Sequence, residues 1–197
     1  LLNWPVNIQC GGCESNAVIE NNQVHDNWGE GITFGVGTYN QARNNIFWNN
    51  NSVNMYANRQ QHAVFDGNFV YCTEDVSQTS GMSRSNGIII NNEIEAWQVN
   101  LPLTKDVLIK NNIVVGCKQN LGFWAQNKLY GSENVIVANN TFVNARGTSS
   151  RDGINFNIYK ATEVPYKNVK IQNNIFYQDL IDDDNVGTDT VIAEGLN

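Results

Sequence analysis

Four charged residues stand where this chain could do chemistry. Arg59, Glu93, Lys128 and Lys160 each fall just past the end of a short strand-like stretch. An Arg or Lys there could take the acidic proton beside a substrate carboxylate, while a positive group or a bound cation neutralises that carboxylate. A solvated strand end is the plain alternative. Beside them runs a set of amides and rings: Asn54, Tyr56, Asn91, Trp124, Asn155, Asn157 and Tyr159. Rings offer flat apolar faces to C–H groups and amides satisfy hydroxyls, which is how a protein surface recognises sugars. An ordinary polar sheet surface has the same composition, so both readings stay open.

The elements that must position these residues come from a repeat. VLIKNNIVVGC at Val107 recurs as AVIENNQVHDN from Ala17, QARNNIFWNN from Gln41, HAVFDGNFVYC from His62, VIVANNTFVNA from Val135 and VKIQNNIFYQD from Val169. The first Asn of the pair can vary, being Gly67 in one copy. The second is constant: Asn22, Asn45, Asn68, Asn112, Asn140 and Asn174, at intervals of 23, 23, 44, 28 and 34 residues. Periods in this range mark solenoids, and the alternation of Val107 with Ile109 and of Val135 with Val137 means strand. Asn tolerates left-handed turns. The pair is therefore expected at a bend, with stacked coils placing one Asn above the next, about 4.8 Å apart. A buried column of such amides can satisfy itself.

A second repeated strand lies between these units, anchored at Val6, Ile32, Val53, Ile88, Leu121 and Ile154. The spacing predicts three short strands per coil, six coils and a partial seventh, in one domain over 1–197. The 44-residue interval is expected to carry two insertions, 73–86 and 93–106. With those anchors inward, one outward row reads Asn7, Thr33, Asn54, Ile89, Gly122, Asn155, and the next Gln9, Gly35, Tyr56, Asn91, Trp124, Asn157. Glu30 and Asp152 occupy equivalent places but four coils apart, roughly 19 Å, too far to cooperate in glycoside hydrolysis.

These motifs resemble the right-handed parallel β-helix superfamily, the pectate-lyase-like fold, over essentially the whole chain. The resemblance implies an all-β, right-handed parallel β-helix with an Asn ladder, and a polysaccharide cleft on the parallel sheet flanked by long turn insertions. The superfamily's polygalacturonase signatures are absent, so lyase-like chemistry is expected over hydrolysis if the chain is catalytic at all. A non-catalytic structural or adhesive solenoid on the cell surface, assembled end to end, competes with it.

Composition bounds the rest. Charged residues make up 16%, Asn is the commonest residue at 34 copies, and the net charge is −7. Nucleic acid would need a basic stripe, and none exists. An acidic polymer would need a bridging cation such as calcium. No apolar run is long enough for a transmembrane helix. The chain opens inside a coil at Leu1, which reads as a mature chain or a fragment of a longer one.

Cys72 and Cys117 lie on successive coils within reach of a disulfide; plain buried thiols are the alternative. A disulfide would suit an extracellular or cell-surface protein. The Cys10–Cys13 spacing lacks a second pair of ligands for zinc. His25 and His62 are isolated in sequence. The outward column Glu20, Arg43, Asp66 reads as a cation site or, more plainly, as a surface ion ladder.

Overall fold

The two asparagines of each pair have different tasks. Asn21, Asn44, Asn111, Asn139 and Asn173 adopt φ between 51° and 59°, and Gly67 adopts 67°. That left-handed backbone is open to Gly and tolerable for Asn, so this position alternates between the two. It turns the chain sharply from one three-residue strand into the next. Further left-handed columns precede and follow these strands: Asn16, Tyr39, His62, Asp106, Asn134 and Asn168, then Asp26, Asn49, Gly116 and Asn144.

The computed structural model describes residues 6–10, 16–74, 84–93, 102–125, 130–147, 153–158, 164–179 and 191–192. It is all-β, with three parallel sheets visited in rotation. The first sheet has seven strands: Ile8–Cys10, Ile32–Phe34, Val53–Asn58, Asn86–Asn91, Gln119–Phe123, Ile154–Ile158 and Val191–Ile192. The second runs through Val18–Glu20, Gln41–Arg43, Val64–Asp66, Lys105–Lys110, Glu133–Ala138 and Lys170–Gln172, with two short flanking strands, Gly37–Thr38 and Gln60–Gln61. The third holds Gln23–His25, Ile46–Trp48, Phe69–Tyr71, Ile113–Val115, Thr141–Val143 and Ile175–Tyr177. Each sheet stacks in chain order, as six three-strand repeats plus one further strand of the first sheet. This arrangement is compatible with a parallel β-helix.

The second asparagine of each pair fills the interior of the bend. Asn68 N and Nδ2 both donate to Asn112 Oδ1, each at 2.9 Å. Asn112 N and Nδ2 donate in turn to Asn140 Oδ1 at 2.9 and 3.0 Å. The remaining Nδ2 proton of Asn112 goes back to the carbonyl of Phe65 at 3.0 Å. The pattern runs from Asn22 through Asn45 to Asn174. Every donor and both lone pairs of an inner member are used, so the amides are buried without an unsatisfied group.

Apolar columns fill the space between the sheets. Ile19, Ala42, Phe65, Ile109, Val137 and Ile171 align in the second sheet. Val24, Phe47, Val70, Val114, Phe142 and Phe176 align in the third. Both columns belong to one core. The disulfide is formed between Cys72 and Cys117, whose Cα atoms are 4.8 Å apart. Cys13 lies outside the described residues. The outward column Glu20, Arg43, Asp66 continues to Lys110, which pairs with Asp66 at 3.2 Å. Among the described residues no group of three His, Cys, Asp or Glu is placed to hold a metal, and no helix is long and apolar enough to cross a membrane.

Two sequence expectations need correction. Val6, Val53 and Ile154 are not in register with Ile32, Ile88 and Leu121: Ile8 pairs with Ile32, Met55 with both Ile32 and Ile88, and Phe156 with Leu121. The frame had slipped by two residues there. Asn86 and residues 105–106, placed in insertions, begin strands of the first and second sheets. Residues 75–83 and 94–101 of those insertions lie outside the described residues.

Asn112→Leu is expected to leave Asn68 N–H, Asn68 Nδ2, Asn140 Oδ1 and the Phe65 carbonyl short of partners, at about 1–3 kcal/mol per stranded group. Asn111→Gly next door keeps its left-handed backbone and should be near neutral. Urea unfolding of both variants checks this; equal midpoints would contradict the ladder's role. Reducing the Cys72–Cys117 bond, which closes a 45-residue separation, should cost on the order of 2–4 kcal/mol, read as a lower midpoint in reductant.

Candidate functional site

The strands of the first sheet end in a polar cluster that joins several of the residues singled out from sequence. Tyr56 and Asn91 lie on adjacent strands, and the Tyr56 hydroxyl accepts from Asn91 Nδ2 at 2.7 Å. The Glu93 carboxylate lies near the same hydroxyl. Asn58 grips Glu93 from both sides: Asn58 Nδ2 donates to Glu93 Oε2 at 3.2 Å and Asn58 Oδ1 accepts from Glu93 N at 2.8 Å. Arg59, left-handed at φ 56°, donates from Nε to the Glu93 carbonyl at 2.6 Å and lies 5.6 Å from the Tyr130 ring centroid.

Burial governs what this cluster can do. Tyr56 is 5% exposed and Arg59 1%; Glu93 is half-buried. Burial raises the Tyr56 phenol well above its ordinary range. The Glu93 charge and the hydrogen bond to Glu93 push the same way, against a smaller lowering by Asn91. The phenol therefore stays protonated and does not act as a base. Arg59 does not offer its guanidinium to solvent. Lys128 and Lys160 lie outside the described residues, so the row of four charged groups reduces to Arg59 and Glu93.

The outward face of the first sheet also differs from the expected rows. The true row is Gln9, Thr33, Tyr56, Ile89, Gly122, Asn157. Tyr56 is not level with Asn91 and Trp124, as expected, but two positions earlier. Tyr56 packs with Val53 and Ile89 in a buried outer cluster. Asn54 and Asn155 point the other way. Asn54 Oδ1 accepts from Asn50 Nδ2 at 2.9 Å and its Nδ2 donates to the Asn86 carbonyl at 3.1 Å. Asn155 Oδ1 accepts from Asn120 Nδ2 at 2.6 Å. Both are fully buried, because the bend from the third sheet into the first needs its own buried amides. Neither lies on the outward surface. Tyr159 lies outside the described residues.

Trp124 and Asn157 remain on the outward side, both half-buried. Trp124 packs on the Val53, Tyr56 and Ile89 cluster, and its indole N–H donates to Gln119 Oε1 at 2.9 Å. A Cβ on Gly122 would sit 2.7 Å from both Gln119 Oε1 and Ile89 Cδ1 and 3.1 Å from Trp124 Nε1. The glycine leaves the room in which the ring is pinned.

The third sheet carries an apolar outward face that alternation alone did not suggest. His25, Trp48 and Tyr71 stack in register, at 3.9 and 5.4 Å between ring centroids. Phe69, Ile113, Ile175 and Tyr177 are exposed, the last two at 61% and 53%. Stacked rings cover one another's faces and turn their edges outward, so the row supports strand stacking and offers no open platform for a sugar. The signal was present in the unbroken apolar runs Ile46–Trp48, Phe69–Tyr71 and Ile113–Val115.

Because the folded state keeps Tyr56 neutral, its contribution to stability is complete below the ordinary phenol range, about pH 10, and is lost as pH rises above it. The urea midpoint of the wild type should fall more steeply above about pH 10 than that of Tyr56→Phe. Parallel curves would contradict the buried assignment.

No known protein family matches the chain, and no curated protein or solved structure is significantly similar to it.

Proposed function

We propose that the chain is a right-handed parallel β-helix, pectate-lyase-like in architecture, that binds polysaccharide on the outward face of its first sheet. Strand–crossover–strand connections between parallel neighbours are overwhelmingly right-handed, and the rotation through three sheets supplies such connections at every repeat. The observation that carries the binding reading is Trp124. Its ring is partly exposed and held by Gln119 and by the space at Gly122. A ring fixed before binding costs little ordering entropy when a sugar stacks on it. Asn157, on the strand beside Gly122, supplies amide groups at the same face.

Binding is favoured over cleavage. A lyase needs an accessible base and an accessible positive group; of the candidates among the described residues, Arg59 is buried and Tyr56 is held protonated. The Cys72–Cys117 disulfide supports an extracellular or cell-surface location. A polysaccharide is the partner on this reading, and no step depends on calcium.

Trp124→Ala should weaken oligosaccharide binding about fivefold, for a stacking contribution of about 1 kcal/mol; the urea midpoint falls as the packing on Val53, Tyr56 and Ile89 is lost, but the variant stays folded without urea. A glycan array followed by fluorescence titration of wild type and variant checks this. If no glycan binds, or the variant binds as tightly, a purely structural surface solenoid replaces the carbohydrate reading.

A further inference from the structure

A cavity of about 330 Å³ opens at the leading edge of the second sheet. Its charged lining is one row across neighbouring strands: Lys105 pairs with Glu133, and Glu133 bridges to Lys167. Pro102, Leu103 and Pro165 form the apolar walls. Backbone bonds seat Lys167 opposite Glu133. The Lys167 N–H donates to the Ser132 carbonyl at 3.0 Å, and its carbonyl accepts from Asn134 N at 2.9 Å. The Pro165 wall is held as firmly: a Cβ on Gly131 would sit 2.4 Å from the Pro165 carbonyl oxygen, so the two backbones are in close contact.

The charges around the cavity divide into a matched pair and an unmatched one. Lys105 lies 4.0 Å from Asp106, whose carboxylate also accepts from Asn134 Nδ2 at 2.8 Å and stands 3.6 Å from His62 Nδ1. Lys105 and Asp106 neutralise each other. Glu133 and Lys167 are cross-strand neighbours of opposite sign, a placement in which side chains usually close on each other. Here they do not: among the described residues neither comes within ion-pair distance of an opposite charge. Both line the cavity instead. What remains is one carboxylate and one ammonium, net zero (−1 + 1), on strands about 4.8 Å apart. A simple cation or anion there meets one attraction and one repulsion. A ligand carrying both charges close together, in the reverse order, meets two attractions.

We propose that this cavity binds a free α-amino acid with an aliphatic side chain, held as the zwitterion. Its ammonium lies on Glu133, its carboxylate on Lys167, and its side chain against Pro102, Leu103 and Pro165. Both charged groups of an α-amino acid sit on one carbon, which suits partners on adjacent strands, and each makes a charge-assisted hydrogen bond. The volume is at the small end for ligand sites, enough for one residue and not for a chain. Glu133 and Lys167 are both exposed, so each pair contributes little and the affinity is millimolar. The site is on a different sheet from Trp124 and does not rest on the carbohydrate reading.

The test is an NMR titration of the full chain with L-leucine, N-acetyl-L-leucine, which lacks the ammonium, and L-leucinamide, which lacks the carboxylate. L-Leucine should shift the backbone amides of Lys105, Glu133 and Lys167 and saturate in the millimolar range. Each blocked analogue should bind about threefold more weakly, within the range for an exposed charge pair. Glu133→Gln should weaken L-leucine and L-leucinamide about threefold without weakening N-acetyl-L-leucine. Lys167→Met should weaken L-leucine and N-acetyl-L-leucine by the same factor without weakening L-leucinamide. A general loss of the cavity would weaken all three ligands alike. Equal binding of the three ligands, no saturating shift in this row, or parallel weakening of all three by either variant would each overturn the proposal.

Discussion

The structure depends on an amide that donates and accepts along the stacking direction. A three-residue strand is too short to hold its register through backbone pairing alone, and 12 of the strands described in these sheets are that length. The Asn22 to Asn174 column adds a fixed link at one place in each repeat. Two donors of each inner member go to one oxygen of the next, and the spare proton returns to the repeat before. No other side chain of that size carries two N–H donors and a two-lone-pair oxygen. Leu would fill the space and strand its neighbours, while Asp would bury a charge.

Turning and filling are separated between neighbours in sequence. Residues such as Asn111 and Gly67 bend the backbone through left-handed conformations; the asparagine that follows fills the inside. The other bends use the same division with different residues. Asn50, Asn54, Asn120 and Asn155 fill the bend into the first sheet, and Asn40 with Gln60 and Asn92 with Thr104 fill the bend out of it. The interior polar demand is met largely by amides, so among the described residues charged side chains are left for outward surfaces, with Arg59 the exception.

Much of the fold was legible in the sequence because the ladder position accepts no substitute: the constant asparagine marks every repeat, and the disulfide follows once Cys72 and Cys117 are seen on successive repeats. The site was harder to read. Val53 and Met55 are both apolar and two apart, so alternation could not choose between them, and the frame slipped. Asn54, Asn120 and Asn155 would have corrected it, since each precedes the inward residue Met55, Leu121 or Phe156 directly. Tyr56 looked like a surface ring because alternation predicts which side a residue takes, not what covers that side.

The central claim, that the ladder amides are interior and mutually bonded, is open to one direct measurement. Hydrogen exchange of side-chain amide protons, followed by NMR, distinguishes Asn68 and Asn112 from Asn111 in the same sample. The Nδ2 protons of Asn68 and Asn112 should exchange as slowly as backbone amides of the core strands, while those of Asn111, whose one partner is the carboxylate of Asp66 in an exposed contact, exchange far faster. Equal, fast exchange at all three would contradict the account.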